Sequence, residues 1–209
     1  MITPQTSVRT LQVTLCAGLI FAAWTAAAQE RPSEPPAMQA KRLQLAPVID
    51  GEILGDEAWN GPVPATGFWQ TQPNDGYPST QHTEVFVGFT DTSLYIGVIA
   101  FDDDPGGIVV TDSRRDSPLD DTDAFLVIID GLLDRQNGYV FGTNPAGIEY
   151  DGQVIGEGAG AGIGFQGGDV NLNWDGSWSV SARTGDFGWS AEFEIPFHTL
   201  RFGSAETQD

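Results

Sequence analysis

Short apolar or alternating segments, each bounded by turn residues, recur along this chain and constrain its fold more than any other feature. They cover residues 83–89, 94–101, 124–130, 138–141, 147–150, 178–182 and 189–195. β-branched and aromatic residues dominate them, and their short length is typical of strands. Only residues 54–59 and 198–200 resemble single helical turns. The pattern predicts an all-β fold, an antiparallel β-sandwich of jelly-roll type.

The last of these segments alternates strictly, which assigns its side chains to two faces. One set predicts a buried face: Trp189, Ala191, Phe193 and Ile195. The other set predicts a face that meets water: Ser190, Glu192 and Glu194.

Acidic residues outnumber basic residues by 29 to 9, which gives a formal net charge of −20 at neutral pH. Nucleic-acid binding depends on clustered Lys and Arg, and so does the attachment of a surface helix to anionic lipid. The charge therefore excludes both classes of partner. Hydrophobic residues still make up 40% of the chain, which is enough for a packed core.

The first 28 residues differ from the rest: Arg9 precedes a short apolar run that ends in three alanines. This pattern is typical of a secretory signal peptide, with an uncleaved membrane anchor as the alternative. We expect a Pro-rich linker over residues 29–42 and one folded domain over 43–209. The single cysteine, Cys16, lies in the apolar run. Export without other cysteines predicts the periplasm or outer membrane of a Gram-negative bacterium.

Residues 156–168 contain seven glycines. No helix-forming stretch follows them, which excludes a dinucleotide-binding fingerprint. The segment is predicted to be a loop, with a ligand-gating lid as the alternative.

Four motifs follow one another in a fixed order along the chain. They are Pro-Val-Ile-Asp-Gly-Glu at 47–52 with Asp-Glu-Ala-Trp at 56–59, Thr-Glu-Val at 83–85 with Asp-Thr-Ser-Leu-Tyr-Ile at 91–96, the segment 123–130, and Gly-Trp-Ser-Ala-Glu-Phe-Glu-Ile-Pro-Phe at 188–197. Together they cover about residues 43–203 and resemble the family 9 carbohydrate-binding modules. The resemblance implies a β-sandwich that binds polysaccharide or oligosaccharide and is not itself catalytic.

Shorter motifs narrow the resemblance. They are Arg-Asp at 115–116, Asn-Pro-Ala-Gly at 144–147, Asn-Trp-Asp at 173–175 and Leu-Arg-Phe at 200–202. These motifs resemble a subgroup found at the N-terminus of large bacterial outer-membrane proteins, where the module precedes a region thought to form a β-barrel. The resemblance implies a C-terminal barrel as a partner in a longer protein. It also implies a function at the cell envelope, accessory to glycan hydrolysis or uptake.

Two other functions stay open. The domain could be a structural or gating part of an outer-membrane barrel that binds no sugar. It could also belong to a xylanase-like glycoside hydrolase, in which Glu192 and Glu194 would be the carboxylate pair. Two residues apart on one strand face, they are separated by roughly 7 Å, within the range of paired glycosidase carboxylates.

Sugar binding requires flat aromatic faces and a few polar groups that reach the hydroxyls. Trp174 lies in a polar turn with Asn171 and is predicted to be the main aromatic platform, with a tryptophan that anchors the loop as the alternative. Trp69 is a second candidate for the platform. Asn171 and Arg115 are predicted to hydrogen-bond the hydroxyls, and Asp116 is predicted to orient Arg115.

The chain departs from the xylanase-linked members of the family. In those members two tryptophans enclose a sugar at a chain end, and Asn171-x-x-Trp174 resembles the later half of that arrangement. No tryptophan occurs at 118–121, and Phe125 and Leu126 stand where the family has a glutamate. The sugar site that the family implies is therefore incomplete here.

Residues 102–134 contain ten acidic residues. Calcium takes six to eight oxygen ligands, and carboxylates at strand ends can supply them. Since modules of this family often carry structural calcium, the resemblance implies a Ca²⁺ site. The candidate ligands are Asp102, Asp104, Asp121 and Asp123. The alternative is a solvated acidic surface together with an ion pair of Arg115.

Overall fold

The computed structural model describes residues 37–155 and 170–202. The predicted signal peptide, most of the predicted linker and the glycine-rich segment 156–168 lie outside the described residues. Within the described ranges, the only helical elements are three short 3-10 turns: Glu57–Asn60, Pro105–Gly107 and Phe197–Thr199. No helix in this part of the chain is long and apolar enough to span a membrane.

Nine strands form two sheets. In chain order they are β1 (Lys41–Arg42), β2 (Thr83–Phe89), β3 (Ser93–Phe101), β4 (Phe125–Ile129), β5 (Gly138–Thr143), β6 (Tyr150–Val154), β7 (Val170–Asn171), β8 (Ser179–Gly185) and β9 (Gly188–Pro196). The five-stranded sheet has the order β1-β2-β3-β9-β8, and the four-stranded sheet has the order β4-β5-β6-β7. All neighbours are antiparallel except β1 and β2. The predicted all-β sandwich is confirmed.

Most predicted strands agree closely with the observed ones, and β2 has the predicted bounds. The prediction was wrong at residues 147–149, which lie outside any strand, since β6 begins at Tyr150. Gly147 has a φ of 73°, and a positive φ belongs to a turn rather than to a strand. The short strands β1 and β7 were not predicted, because two-residue strands carry no alternating pattern to recognise.

The main core lies between the two sheets. The predicted buried face of β9 is confirmed, since Ala191, Phe193 and Ile195 are fully buried. The Trp178 ring stacks on Phe193 with ring centroids 5.7 Å apart, and it meets Phe141 of the other sheet edge-on at 5.2 Å. These aromatic contacts join the two sheets, and such pairs stabilise a core beyond the area that they bury.

A second apolar cluster covers the opposite face of the five-stranded sheet. It contains Leu43, Ile53, Trp59, Phe86, Tyr95 and Ile99. The chain between β1 and the 3-10 turn at Glu57–Asn60 thus packs across this face. The prediction that the face meets water was therefore wrong, and Glu192 is fully buried. Strand alternation identifies two faces but does not show which later element covers them.

The buried Glu192 carboxylate holds this N-terminal segment. One of its oxygens accepts hydrogen bonds from the backbone N–H groups of Asp50 at 3.0 Å and Gly51 at 2.9 Å. The other accepts from the indole Nε1 of Trp59 at 2.7 Å. All three donors belong to the two motifs at 47–52 and 56–59. These motifs are therefore explained by a structural contact, which we call the Glu192 clamp.

The clamp brings two backbones into close contact at Gly51. This residue has a φ of 85°, and a Cβ added to it would lie 2.8 Å from the carbonyl carbon of Ala182 in β8. The Ser190 hydroxyl also donates to the Gly51 carbonyl at 2.6 Å. A side chain at position 51 would separate the turn from the sheet.

Burial raises the pKa of Glu192, and the hydrogen bonds from Trp59, Gly51 and Asp50 oppose that increase. The folded chain therefore binds this proton more tightly than the unfolded chain does. Between the ordinary glutamate pKa and the raised value, the contribution of Glu192 to stability falls as the pH rises.

We expect Trp59→Phe to lower the free energy of unfolding by about 1–3 kcal/mol near neutral pH, because a buried carboxylate oxygen loses its donor. Loss of that donor raises the pKa of Glu192 further, so the difference from wild type should shrink on going from about pH 7 to about pH 5. Urea unfolding at both pH values measures this. Phe86→Leu is the control, since its ring packs against Trp59 at 6.0 Å and should cost the same at both. A pH-independent loss in Trp59→Phe would contradict the clamp.

Gly51→Ala should destabilise the fold clearly more than Gly55→Ala. Both glycines have positive φ, 85° and 94°, and alanine costs about 1–2 kcal/mol in that conformation. A Cβ at Gly55 meets nothing within 4 Å, whereas one at Gly51 meets the β8 backbone. Thermal unfolding of the two variants isolates the close approach. Equal losses would show that the contact at Gly51 is not tight.

Candidate functional site

Arg115 is the centre of a cluster of charged side chains beside β6 of the four-stranded sheet. Its guanidinium donates to Asp151 of β6 at 2.6 Å and to Asp175 at 2.7 Å. It also donates to Glu149 and lies 3.4 Å from Asp116. One cation therefore joins three segments of the chain, and we call this group the Arg115 cluster.

Asp151 is the buried member of the cluster, with 1% of its surface exposed. Besides Arg115, it accepts a hydrogen bond from the backbone N–H of Gly176 at 2.7 Å. Burial raises its pKa, while Gly176 and Arg115 oppose the increase. The indole Nε1 of Trp178 is buried and has no hydrogen-bond partner among the described residues, although it lies near enough to lower the pKa of Asp151.

The other members of the cluster face solvent to different degrees. The side chains of Arg115 and Asp116 are each 38% exposed, that of Glu149 is 35% exposed and that of Asp175 is 80% exposed. Burial lowers the pKa of Arg115, but the four carboxylates more than offset this effect, and the pKa is raised. The cation is therefore permanently charged and its donors are directed at carboxylates.

Trp174 is half-buried and adjoins the cluster through Asp175, the next residue. Its ring packs against Tyr139 at 4.8 Å and Phe141 at 6.0 Å, both on the inner side of β5. Trp174 therefore anchors its loop to the core and keeps part of its surface in contact with solvent. Its predicted contact with sugar stays a prediction.

Asn171 lies in β7, three residues before Trp174. Its side-chain oxygen accepts from the backbone N–H of Asn173 at 3.1 Å, and its carbonyl accepts from the Trp174 N–H at 3.2 Å. The Asn171 amide thus shapes the turn that presents Trp174. The structure brings together four of the five residues predicted to bind sugar: Asn171, Trp174, Arg115 and Asp116.

Trp69 lies elsewhere, in a small hairpin beside β2. It pairs with Pro78, and Gln70 pairs with Tyr77 next to it. No hydrogen bond, ion pair or ring contact within the described ranges links Trp69 to the Arg115 cluster. Tyr77 is 63% exposed, so this hairpin carries an aromatic surface of its own.

Three members of the cluster were not predicted as site residues: Glu149, Asp151 and Asp175. Their spacing could have identified two of them. Residues 149 and 151 are two positions apart, so in an extended chain their side chains lie on the same side. Asp175 could have been selected as the neighbour of Trp174.

Two of the four predicted calcium ligands accept hydrogen bonds from the backbone nearby. Asp102 accepts from the Asp104 N–H at 2.7 Å, and Asp123 accepts from the Val109 N–H at 2.6 Å. Among the residues that the structure describes, no group of three or more His, Cys, Asp or Glu side chains is arranged to hold a metal ion. The structure therefore does not group these four side chains around one point, and calcium binding stays a prediction.

The carboxylate pair considered for hydrolysis has other partners. Glu192 is fully buried in its clamp, so a polysaccharide has no access to it. Glu194 accepts from the Ser93 and Tyr95 hydroxyls, each at 2.9 Å. Burial and then this hydrogen bond raise the pKa of Tyr95. Both glutamates serve the face that the N-terminal segment covers.

Two solved structures share this fold. They are family 9 carbohydrate-binding modules from Caldicellulosiruptor kristjanssonii, one in complex with cellotriose and one in complex with glucose. Each superposes with a TM-score of 0.51, at 15% and 16% sequence identity, over 76% and 79% of this chain. The chain spans 66% and 71% of the lengths of those structures. No family model and no curated protein matches this chain.

We expect Arg115→Gln to lower the free energy of unfolding by about 1–3 kcal/mol at neutral pH, because it leaves the buried Asp151 without its cation. This is below the cost for a fully buried pair, since Arg115 is 38% exposed. Arg114→Gln is the control: its pair with Asp112 is exposed and is worth at most about 1 kcal/mol. Urea unfolding compares the two. Arg115 lowers the pKa of Asp151, so its removal raises that pKa further, and the loss of stability in Arg115→Gln should shrink on acidification. A loss of stability no larger than that of Arg114→Gln would contradict this role.

Proposed function

We propose that this domain is a non-catalytic carbohydrate-binding module that holds polysaccharide or oligosaccharide at the cell envelope. The observation that carries the proposal is the position of Trp174. An aromatic ring that is fixed from behind and partly open to solvent lies beside a cation, several carboxylates and an amide. Sugar recognition uses this combination of an apolar face and polar groups that fix orientation.

In this proposal the open part of the Trp174 ring packs against the apolar face of a pyranose. Asn171 and the exposed carboxylate of Asp175 hydrogen-bond its hydroxyls. Arg115 makes fewer direct hydrogen bonds to the sugar than the sequence predicts, because its donors already bind carboxylates of the protein. Its main contribution is to hold Asp175 and Glu149 in place as acceptors for hydroxyl groups.

Similarity of fold supports the proposal, since the two structures described above were solved with cellotriose and with glucose. This chain lacks a tryptophan at 118–121. The proposed contact is therefore one-sided, with one ring rather than two against the sugar. Such a surface suits weak binding to many sites along a polymer better than tight binding to one chain end.

The wider setting is proposed from the sequence. The signal-peptide pattern supports export to the periplasm or outer membrane. The short motifs of the outer-membrane subgroup support a C-terminal barrel in a longer protein, to which this module would bring glycan for hydrolysis or uptake. Structural calcium belongs to the same set of expectations, and melting with and without EDTA tests it.

A second candidate function is a structural or gating domain without sugar binding. The observation that favours it is the mutual pairing within the Arg115 cluster. The guanidinium donates hydrogen bonds to three carboxylates of the chain itself and forms an ion pair with a fourth, Asp116. A cluster of this kind fastens loops whether or not a ligand is present.

Calorimetric titration with cellotriose and xylotriose at millimolar ligand, with calcium present, tests the proposal. We expect binding heat from the wild type and an affinity about fivefold lower in Trp174→Ala, since an aromatic contact of this kind is worth about 1 kcal/mol. Asn171→Ala keeps the indole but removes the amide and its hydrogen bond to the Asn173 N–H, and it should also weaken binding. Phe202→Ala removes an exposed aromatic residue outside the site and serves as the control.

Two outcomes would count against this function. An absence of heat with neutral oligosaccharides in the folded wild type would favour the structural domain. Binding that Trp174→Ala and Asn171→Ala leave intact would move the site elsewhere, and Trp69→Ala then tests the aromatic hairpin.

A further inference from the structure

We propose that the Arg115 cluster sets the charge preference of this surface: glycans that carry amino groups bind more tightly than neutral glycans, and glycans that carry uronic acids bind more weakly. The inference rests on the proposed function and adds the class of ligand. Glu149 and Asp175 are the residues that determine the specificity.

The cluster carries an excess of negative charge. One guanidinium faces four carboxylates, each within 4 Å of it: Asp116, Glu149, Asp151 and Asp175. With all four carboxylates ionised, the cluster therefore carries a net charge of −3. The adjacent cation, Arg114, does not compensate this charge, because it is paired with Asp112 at 2.5 Å.

Arg115 is poorly placed to receive an anionic ligand. A uronate that sought its guanidinium would have to displace one of the carboxylates that already accept from it. Displacement of Asp151 would leave a buried charge without its cation, which is strongly unfavourable. An exposed arginine usually recognises the carboxylate of a ligand through its paired N–H donors. Here the carboxylates of the protein already accept from those donors.

Asp175 brings this charge next to the proposed sugar platform. It directly follows Trp174, and its side chain is 80% exposed. A charged substituent on a pyranose packed against Trp174 would lie within several ångströms of Asp175. Glu149 contacts the other terminal nitrogen of the Arg115 guanidinium. We estimate the Coulomb energy between one charge on the sugar and a net charge of −3 at a separation of about 6 Å. Screened at physiological salt, this energy corresponds to about a fivefold change in affinity relative to the neutral sugar.

The rest of the chain acts in the same direction. Its net charge of −20 gives a repulsive field for polyanionic glycans on approach, which lowers their association rate. The Arg115 cluster adds a short-range preference for cationic over anionic glycans. A single substitution in the cluster can change this preference while the net charge of the chain stays nearly the same. This difference makes the inference testable.

The test uses three matched trisaccharides at about pH 6, in low salt and at about 0.5 M salt: cellotriose, its C6-oxidised glucuronate form, and the glucosamine trimer. At low salt we expect the order glucosamine trimer, cellotriose, glucuronate form, with about a fivefold step or more between neighbours. High salt should bring the three affinities together. Asp175→Asn and Glu149→Gln should each narrow the ratio between the charged ligands.

Asp103→Asn is the matched control, because it removes one exposed acidic side chain in the loop after β3 and should leave the ratio unchanged. Equal binding of the three ligands at low salt, with cellotriose bound, would overturn this inference and leave the proposed function intact. A ratio that Asp103→Asn narrows as much as Asp175→Asn would also overturn it, since the total charge would then be the cause. If none of the three ligands binds, the proposed function fails and this inference fails with it.

Discussion

The contact on which the rest of this structure depends is the burial of one carboxylate, Glu192, beneath the N-terminal segment. A buried charge without a cation is unfavourable, and here three hydrogen-bond donors compensate it: the indole of Trp59 and the backbone N–H groups of Asp50 and Gly51. The five-stranded sheet thereby gains apolar cover on both faces. The Arg115 cluster lies apart from this contact, beside β6 of the four-stranded sheet.

The two acidic centres of the molecule show opposite uses of a carboxylate. Glu192 is closed off from solvent and binds only donors from its own chain, so it defines structure. Around Arg115, by contrast, Asp151 is buried while Asp175 remains exposed. The buried member fixes the position of the cation, and the exposed member offers acceptor atoms to a ligand. Because one carboxylate is buried and another is exposed, the same ionic network can stabilise the loops and, in the proposed function, contact a sugar.

Local pattern was sufficient to predict the strands, because alternation and turn residues act within a few positions. Residues 83–89 were predicted as a strand and form β2 with those bounds. The surroundings of Glu192 could not be predicted, since the element that covers it is more than 130 residues away in sequence. For the site, the residue types around Trp174 identified the right region. Its packing against Tyr139 depends on the register of β5, which no local pattern contains.

The clamp also has a consequence for the order in which the chain can acquire its structure. Asp50 and Gly51 are separated from Glu192 by 142 and 141 residues. Contacts of such long sequence separation form late, because the intervening chain must first be ordered. As the chain is synthesised from its N-terminus, the motif at 47–52 is available before β9 and has no acceptor until β9 follows. The segment that is made earlier is thus among the last to be fixed.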